Sequence, residues 1–118
     1  MSDYESADKA VDDLVQEMET YNFDISLGEE KEARGNNKGK VVELIHNPSE
    51  KIFLVPLDIK FFNEEVEGVK GFDVMKAMLF ENLWHQRHNK WPWEEDEDPR
   101  DEDLLHVYEK NPDLAGKP

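Results

Sequence analysis

The first part of the chain repeats its apolar residues at a helical interval. Ala7, Ala10, Val11, Leu14, Val15, Met18 and Tyr21 recur every three or four positions. At about 100° per residue they share one arc of roughly 140°. Ser6 stands where an N-cap belongs, so the pattern predicts a helix over 6–21. Glu5, Asp8, Asp12 and Glu19 fall within about 60° of one another on the far side, and Asp13 and Glu17 flank the arc. The period then changes to two. Phe23, Ile25 and Leu27 alternate with polar neighbours and predict a strand over 22–27. Residues 29–39, EEKEARGNNKG, read as a polar loop punctuated by glycine. The runs VVELIH (41–46) and IFLVPL (52–57) flank Asn47-Pro48-Ser49-Glu50, which is turn chemistry, and predict a hairpin. Pro56 places the end of the second run at an edge or a bulge. Residues 59–62 read as its extension, and 63–71 as a loop with two glycines.

A second helix is expected from Asp73, as its cap, to about Arg87. Val74, Met75, Ala77, Met78, Leu79, Phe80, Leu83 and Trp84 surround most of its circumference, the mark of a buried helix. Lys90-Trp91-Pro92-Trp93 breaks it. A third helix is expected over about 99–110, with Asp98 as N-cap, Pro99 in the first turn, and Leu104, Val107 and Tyr108 seating it. Asn111-Pro112 ends it. The order implies one α+β domain over 1–118, a small antiparallel sheet of a hairpin plus one or two further strands, packed against about three helices.

Composition adds a boundary to this picture. In 118 residues, 37% are hydrophobic and 36% charged, yet 3 Trp, 6 Phe and 3 Tyr suffice for a folded core. There is no cysteine, which excludes disulfides, thiol nucleophiles and thiolate metal sites. The start, MSDYESADKA, has neither a basic nor an apolar leader segment, and no apolar run approaches the roughly 20 residues of a membrane span. A cytoplasmic protein with no membrane partner is the expectation.

Charge changes the picture more. The net charge is -15, from 29 acids and 14 bases. That is well past the roughly 2–8 units that keep a small domain in solution. Residues 1–24 hold eight acids (Asp3, Glu5, Asp8, Asp12, Asp13, Glu17, Glu19 and Asp24) against Lys9 alone. Residues 94–103 hold eight more (Glu94, Glu95, Asp96, Glu97, Asp98, Asp101, Glu102 and Asp103) against Arg100 alone. The stretch between them is nearly balanced. Such a surface repels nucleic acid and attracts basic proteins.

Other chemistry is thin. Glu81, His85 and His88 share a helix face, but the spacing is not that of a metalloprotease helix and no complementary ligand is evident. The acidic run lacks the glycine of a calcium loop, since Asp101 stands there when counting from Asp96. No phosphate-binding glycine loop or nucleophile–base pair exists. No cofactor, no metal and no catalysis are expected. Trp84, Trp91 and Trp93 fit core packing or an interface.

Duplex DNA carries a charge per about 3.4 Å along each strand, whereas helix positions i and i+4 rise by about 6 Å and long carboxylates widen the available spacings. The two acidic segments can therefore lay out charge much as phosphates do. Their acids, Asp3, Glu5, Asp8, Asp12, Asp13, Glu17, Glu19, Glu94, Glu95, Asp96, Glu97, Asp98, Asp101, Glu102 and Asp103, are the expected partner-binding residues.

In length, lack of cysteine, and the segments SDYESADKAVDDLVQEMET and WEEDEDPRDED, the chain resembles the family of small acidic DNA-mimic proteins. Within it, the likeness is to the Neisseria type that binds the histone-like protein HU. The resemblance implies a monomer that occupies the DNA-contacting surface of an HU-like protein and modulates nucleoid packing. A second class fits the same charge: an immunity protein that neutralises a basic nuclease toxin, with its energy in a packed hot spot.

Overall fold

The computed structural model describes residues 4–32, 39–66 and 68–110. Asp3 and the segment after Lys110 lie outside the described residues. The chain divides between Glu64 and Glu65 into two compact units. The architecture is α+β, as the sequence predicts.

The first unit opens with α1 (Ala7–Thr20). Ser6 caps it in extended backbone, its Oγ accepting from Lys9 N at 3.2 Å. Ala10, Val11, Leu14 and Met18 are buried, so the apolar arc read from the sequence is the packed face. Strands β1 (Ile25–Glu32), β2 (Lys40–His46) and β3 (Lys51–Pro56) form an antiparallel sheet in that order. The expected hairpin is present, with Leu44 opposite Phe53 and Ile45 opposite Ile52. Val42, Leu44 and Val55 line the buried face of the sheet, and Val41, Glu43 and Ile45 the other. The turn between the strands is held by Ser49 Oγ, 2.6 Å from His46 Nδ1.

Three expectations fail in this unit. The strand expected over 22–27 begins only at Ile25, because the chain turns at Asn22, in left-handed backbone at φ 68°. β1 continues to Glu32, into the stretch read as a loop, because its polar residues pair with Val42, Val41 and Lys40 across a bulge. Gly28 sits in the bulge, where a Cβ would stand 3.0 Å from the Glu43 side chain. Residues 59–62 do not extend β3. They belong to the short helix α2 (Ile59–Asn63), capped by Asp58, whose Oδ1 accepts from Lys60 N and Phe61 N. α1 lies against β1 and α2.

The second unit begins in the expected loop, which instead holds a small hairpin of β4 (Glu65–Val66) and β5 (Val69–Lys70). Its turn uses Gly68 at φ 82°, where glycine alone avoids strain. The long helix α3 (Gly71–His88) starts two residues before the expected cap. Asp73 sits inside the first turn and reaches back to accept from Lys70 N at 3.4 Å. Ala77, Leu79, Phe80 and Leu83 are buried, with Phe72 beside them, but Val74, Met75 and Trp84 are half-buried and Met78 is exposed, so the apolar pattern is covered on part of its circumference only. The helix ends at Asn89 in the left-handed region. A 3₁₀ turn over Pro92–Glu94 leads into the acidic run, and α4 (Glu102–Lys110) packs on α3 through Leu104 and Val107. α4 starts later than predicted, and its cap is Asp101, whose Oδ1 accepts from Leu104 N at 3.0 Å. Asp98 has another role. Four α-helices stand among the described residues where about three were expected.

Candidate functional site

The N-terminal acids follow the helix period. Asp8, Asp12 and Glu19 are exposed on α1, away from its packed face, and form no ion pair among the described residues. Glu5 is exposed as well but precedes the cap, so it is not part of the helical stripe. Asp13 and Glu17 are half-buried at the margins of the packed face. Asp13 is paired, 3.1 Å from Lys9 Nζ one turn back. Asp8 lies in the first turn, where the helix dipole favours a negative charge, whereas Glu19 lies at the other end, where it does not. A carboxylate placed against the dipole is not explained by helix stability.

The second acidic segment is a built structure, not a solvated run. Asp98 grips Arg100: Arg100 Nη2 donates to Asp98 Oδ2 at 2.6 Å, Nε to Oδ1 at 2.9 Å, and the backbone N–H to Oδ1 at 3.0 Å. The Arg100 side chain is only 9% exposed. Its guanidinium carbon lies 4.6 Å from the Tyr108 ring centroid and 5.8 Å from that of Trp93. Trp93 stacks on Trp91 at 5.2 Å and 5°, and Trp91 on His85 at 4.2 Å. A column of ring and cation–π contacts thus runs from His85 on α3, through Trp91, Trp93 and Arg100, to Tyr108 on α4. Tyr108 Oη donates to Glu81 Oε2 at 2.5 Å, which returns the chain of contacts to α3. Stacked rings and a guanidinium over an aromatic face each add about 0.5–1.5 kcal/mol beyond burial.

Four acids are used to hold this loop. Glu94 Oε1 accepts from Trp91 N at 3.1 Å. Glu95 Oε2 accepts from Trp84 Nε1 at 3.0 Å, with Lys90 Nζ 3.8 Å from its other oxygen. Asp98 holds Arg100, and Asp101 caps α4. The other four, Asp96, Glu97, Glu102 and Asp103, are exposed and form no ion pair or hydrogen bond among the described residues. Partial burial pushes the Asp98 carboxyl up, but hydrogen bonds and charge from Arg100 outweigh it and hold it below the ordinary range. Burial pushes the Glu81 carboxyl up against the Tyr108 hydroxyl, and burial with that same bond pushes the phenol up.

The possible metal-binding triad is dispersed. Glu81 is buried and bonded to Tyr108, His85 stacks on Trp91, and His88 lies tilted against Trp84, 3.9 Å between centroids, and accepts from Arg87 Nε. Trp84, Trp91 and Trp93 are all half-buried. Each ring has neighbours within its own unit: Phe80, His88 and Arg87 for Trp84, His85 and Trp93 for Trp91, and Trp91 and Arg100 for Trp93.

Sequence reasoning missed Arg100, Tyr108 and Glu81 as members of the site. One base inside eight acids was the available signal, because a cation so placed is bound to be claimed by its neighbours. Comparison with protein-family models, curated proteins and solved structures gives no match. No described helix is long and apolar enough to cross a membrane.

Proposed function

We propose that the protein is a DNA mimic. It binds the DNA-contacting surface of a basic DNA-binding protein, of the histone-like HU type, in competition with DNA. The observation that carries this reading is the division of labour within 94–103. Asp98, Asp101, Glu94 and Glu95 fix the loop through internal bonds, and Asp96, Glu97, Glu102 and Asp103 are left facing solvent. An acidic segment that served only solubility would not need a half-buried arginine and a column of rings to give it shape. Preorganised charge loses little conformational entropy on binding, which favours recognition of a fixed pattern of Lys and Arg groups. The exposed stripe of Asp8, Asp12 and Glu19 adds a second surface of the same sign.

The test replaces the unbonded acids of 94–103 and acids outside both segments separately. Asp96→Asn, Glu97→Gln, Glu102→Gln and Asp103→Asn together should weaken binding to HU by about tenfold or more, with the fold intact. Neutralising Glu30 and Glu50, which lie outside both segments, should change it little. A pull-down from native lysate, eluted with salt, identifies the partner. Recovery of a single nuclease whose binding ignores these substitutions would support the immunity-protein reading and sink mimicry.

A further inference from the structure

The β3 strand offers a second, chemically different surface. β3 is an edge of the three-stranded sheet, and its outer side makes no backbone hydrogen bond among the described residues. Leu57 N donates to Lys40 O at 2.8 Å, and in this register Lys40 stands opposite Leu57. In an antiparallel ladder such hydrogen-bonded pairs alternate with open ones. Val55, Phe53 and Lys51 therefore turn their backbone groups toward β2, and Ile52, Leu54 and Pro56 turn theirs outward. Pro56, which has no N–H, falls on the outward side, where none is needed for the sheet. Ile52 and Leu54 are also 48% and 58% exposed on the open face. The only charge on the strand is Lys51. The opposite edge, β1, carries Glu29, Glu30, Lys31 and Glu32, charges that discourage strand addition.

We propose that β3 pairs antiparallel with β3 of a second copy of this chain, about a two-fold axis at Phe53. This occupant is selected by self-complementarity. With Phe53 opposite Phe53 of the second copy, Ile52 of each chain stands opposite Leu54 of the other. The N–H and C=O of both residues then find partners, four interchain hydrogen bonds in all, and no outward N–H of the strand remains open. The same register sets Ile52 and Leu54 from both chains side by side on the open face as one apolar cluster. Charge points the same way. In a molecule of net charge -15, two copies can approach only where acids are few, and β3 has none. The dimer departs from the monomer that the resemblance implies. It joins two three-stranded sheets into one of six.

Sedimentation equilibrium of the full chain tests this, together with amide hydrogen exchange on the same samples. The expected mass rises with concentration toward twice 13.9 kDa. Added salt should strengthen the association, because it screens repulsion between two acidic chains. Exchange at the Ile52 and Leu54 amides should slow by about tenfold or more as the dimer forms. Leu54→Lys, at an exposed position, should keep the fold and weaken association by at least about tenfold. A single-chain mass at every concentration overturns the proposal. So does a dimer in which the Ile52 and Leu54 amides still exchange fast, or one that L54K leaves unchanged. Should L54K fail to fold, exchange on the unaltered chain decides alone.

Discussion

Eight acids within ten residues look interchangeable in a sequence, and the structure separates them by what each oxygen touches. Asp101 satisfies a backbone N–H at the start of α4. Asp101→Ala should therefore destabilise the fold by about 1 kcal/mol, as lost caps do. Asp96→Asn or Glu97→Gln should stay within about 0.5 kcal/mol of the parent. Urea unfolding compares the three, and equal effects would mean that the division of roles is wrong. Glu81 and Asp98 respond to pH with opposite signs. Glu81, raised by burial, binds its proton more tightly folded than unfolded. Its contribution is fully present below the unfolded value of 4.5 and is lost as pH climbs through the raised folded value. Asp98, lowered by Arg100, contributes fully above its unfolded value of 3.8 and loses that contribution as pH falls through the depressed one. Glu81→Gln keeps an acceptor for the Tyr108 hydroxyl and should gain stability relative to the parent as pH rises from about 4.5 toward neutrality. A constant difference between the two across that window would show that Glu81 does not titrate as its burial requires.

At the scale of elements, the sequence was legible where a period ran long enough against one buried face. α1 is such a case, with Ala10, Val11, Leu14 and Met18 buried and Ser6 capping. So is the β2–β3 hairpin, where turn chemistry and alternation agree. α2 was misread because five residues complete little more than one turn, too few to separate a period of 3.6 from one of two. Asp58 was its available signal, since a side chain accepting from two successive N–H groups marks a helix start. The end of β1 was missed because an edge strand facing solvent need not alternate. Glu30 and Lys31 stand opposite Val42 and Val41 but are themselves exposed. The acidic loop was legible as charge but not as structure, because its order depends on Arg100 meeting Trp93 and Tyr108, neighbours in space that no local period announces. Arg100→Gln should disrupt this element first. It leaves the exposed Asp98 without its cation and removes a bidentate pair worth up to about 1 kcal/mol. Thermal unfolding and tryptophan fluorescence, which reports on Trp91 and Trp93, would register the loss. An unchanged spectrum with unchanged stability would contradict the column.

For the molecule as a whole, two surfaces of opposite character imply two responses to salt. Contacts made through Asp8, Asp12, Glu19 and the presented acids of 94–103 should weaken as salt screens them over about 8–10 Å. Association through β3 should strengthen. Asp8→Asn, Asp12→Asn and Glu19→Gln together should reduce affinity for HU without altering the β3 association, because these side chains are exposed on α1 and the strand lies elsewhere in the fold. The most direct test of the mimicry claim is a competition experiment. A labelled DNA duplex bound to HU is titrated with this protein, and bound DNA and bound protein are followed together at two salt concentrations. The mimic reading predicts that each molecule of protein bound releases DNA. It also predicts that affinity falls with salt, though less steeply than the roughly 10³–10⁵-fold loss a DNA ligand with many phosphate contacts shows between about 50 and 200 mM, since a folded acidic protein sheds no comparable counterion sheath. A ternary complex, with DNA and this protein on HU together, would contradict it however tight the binding.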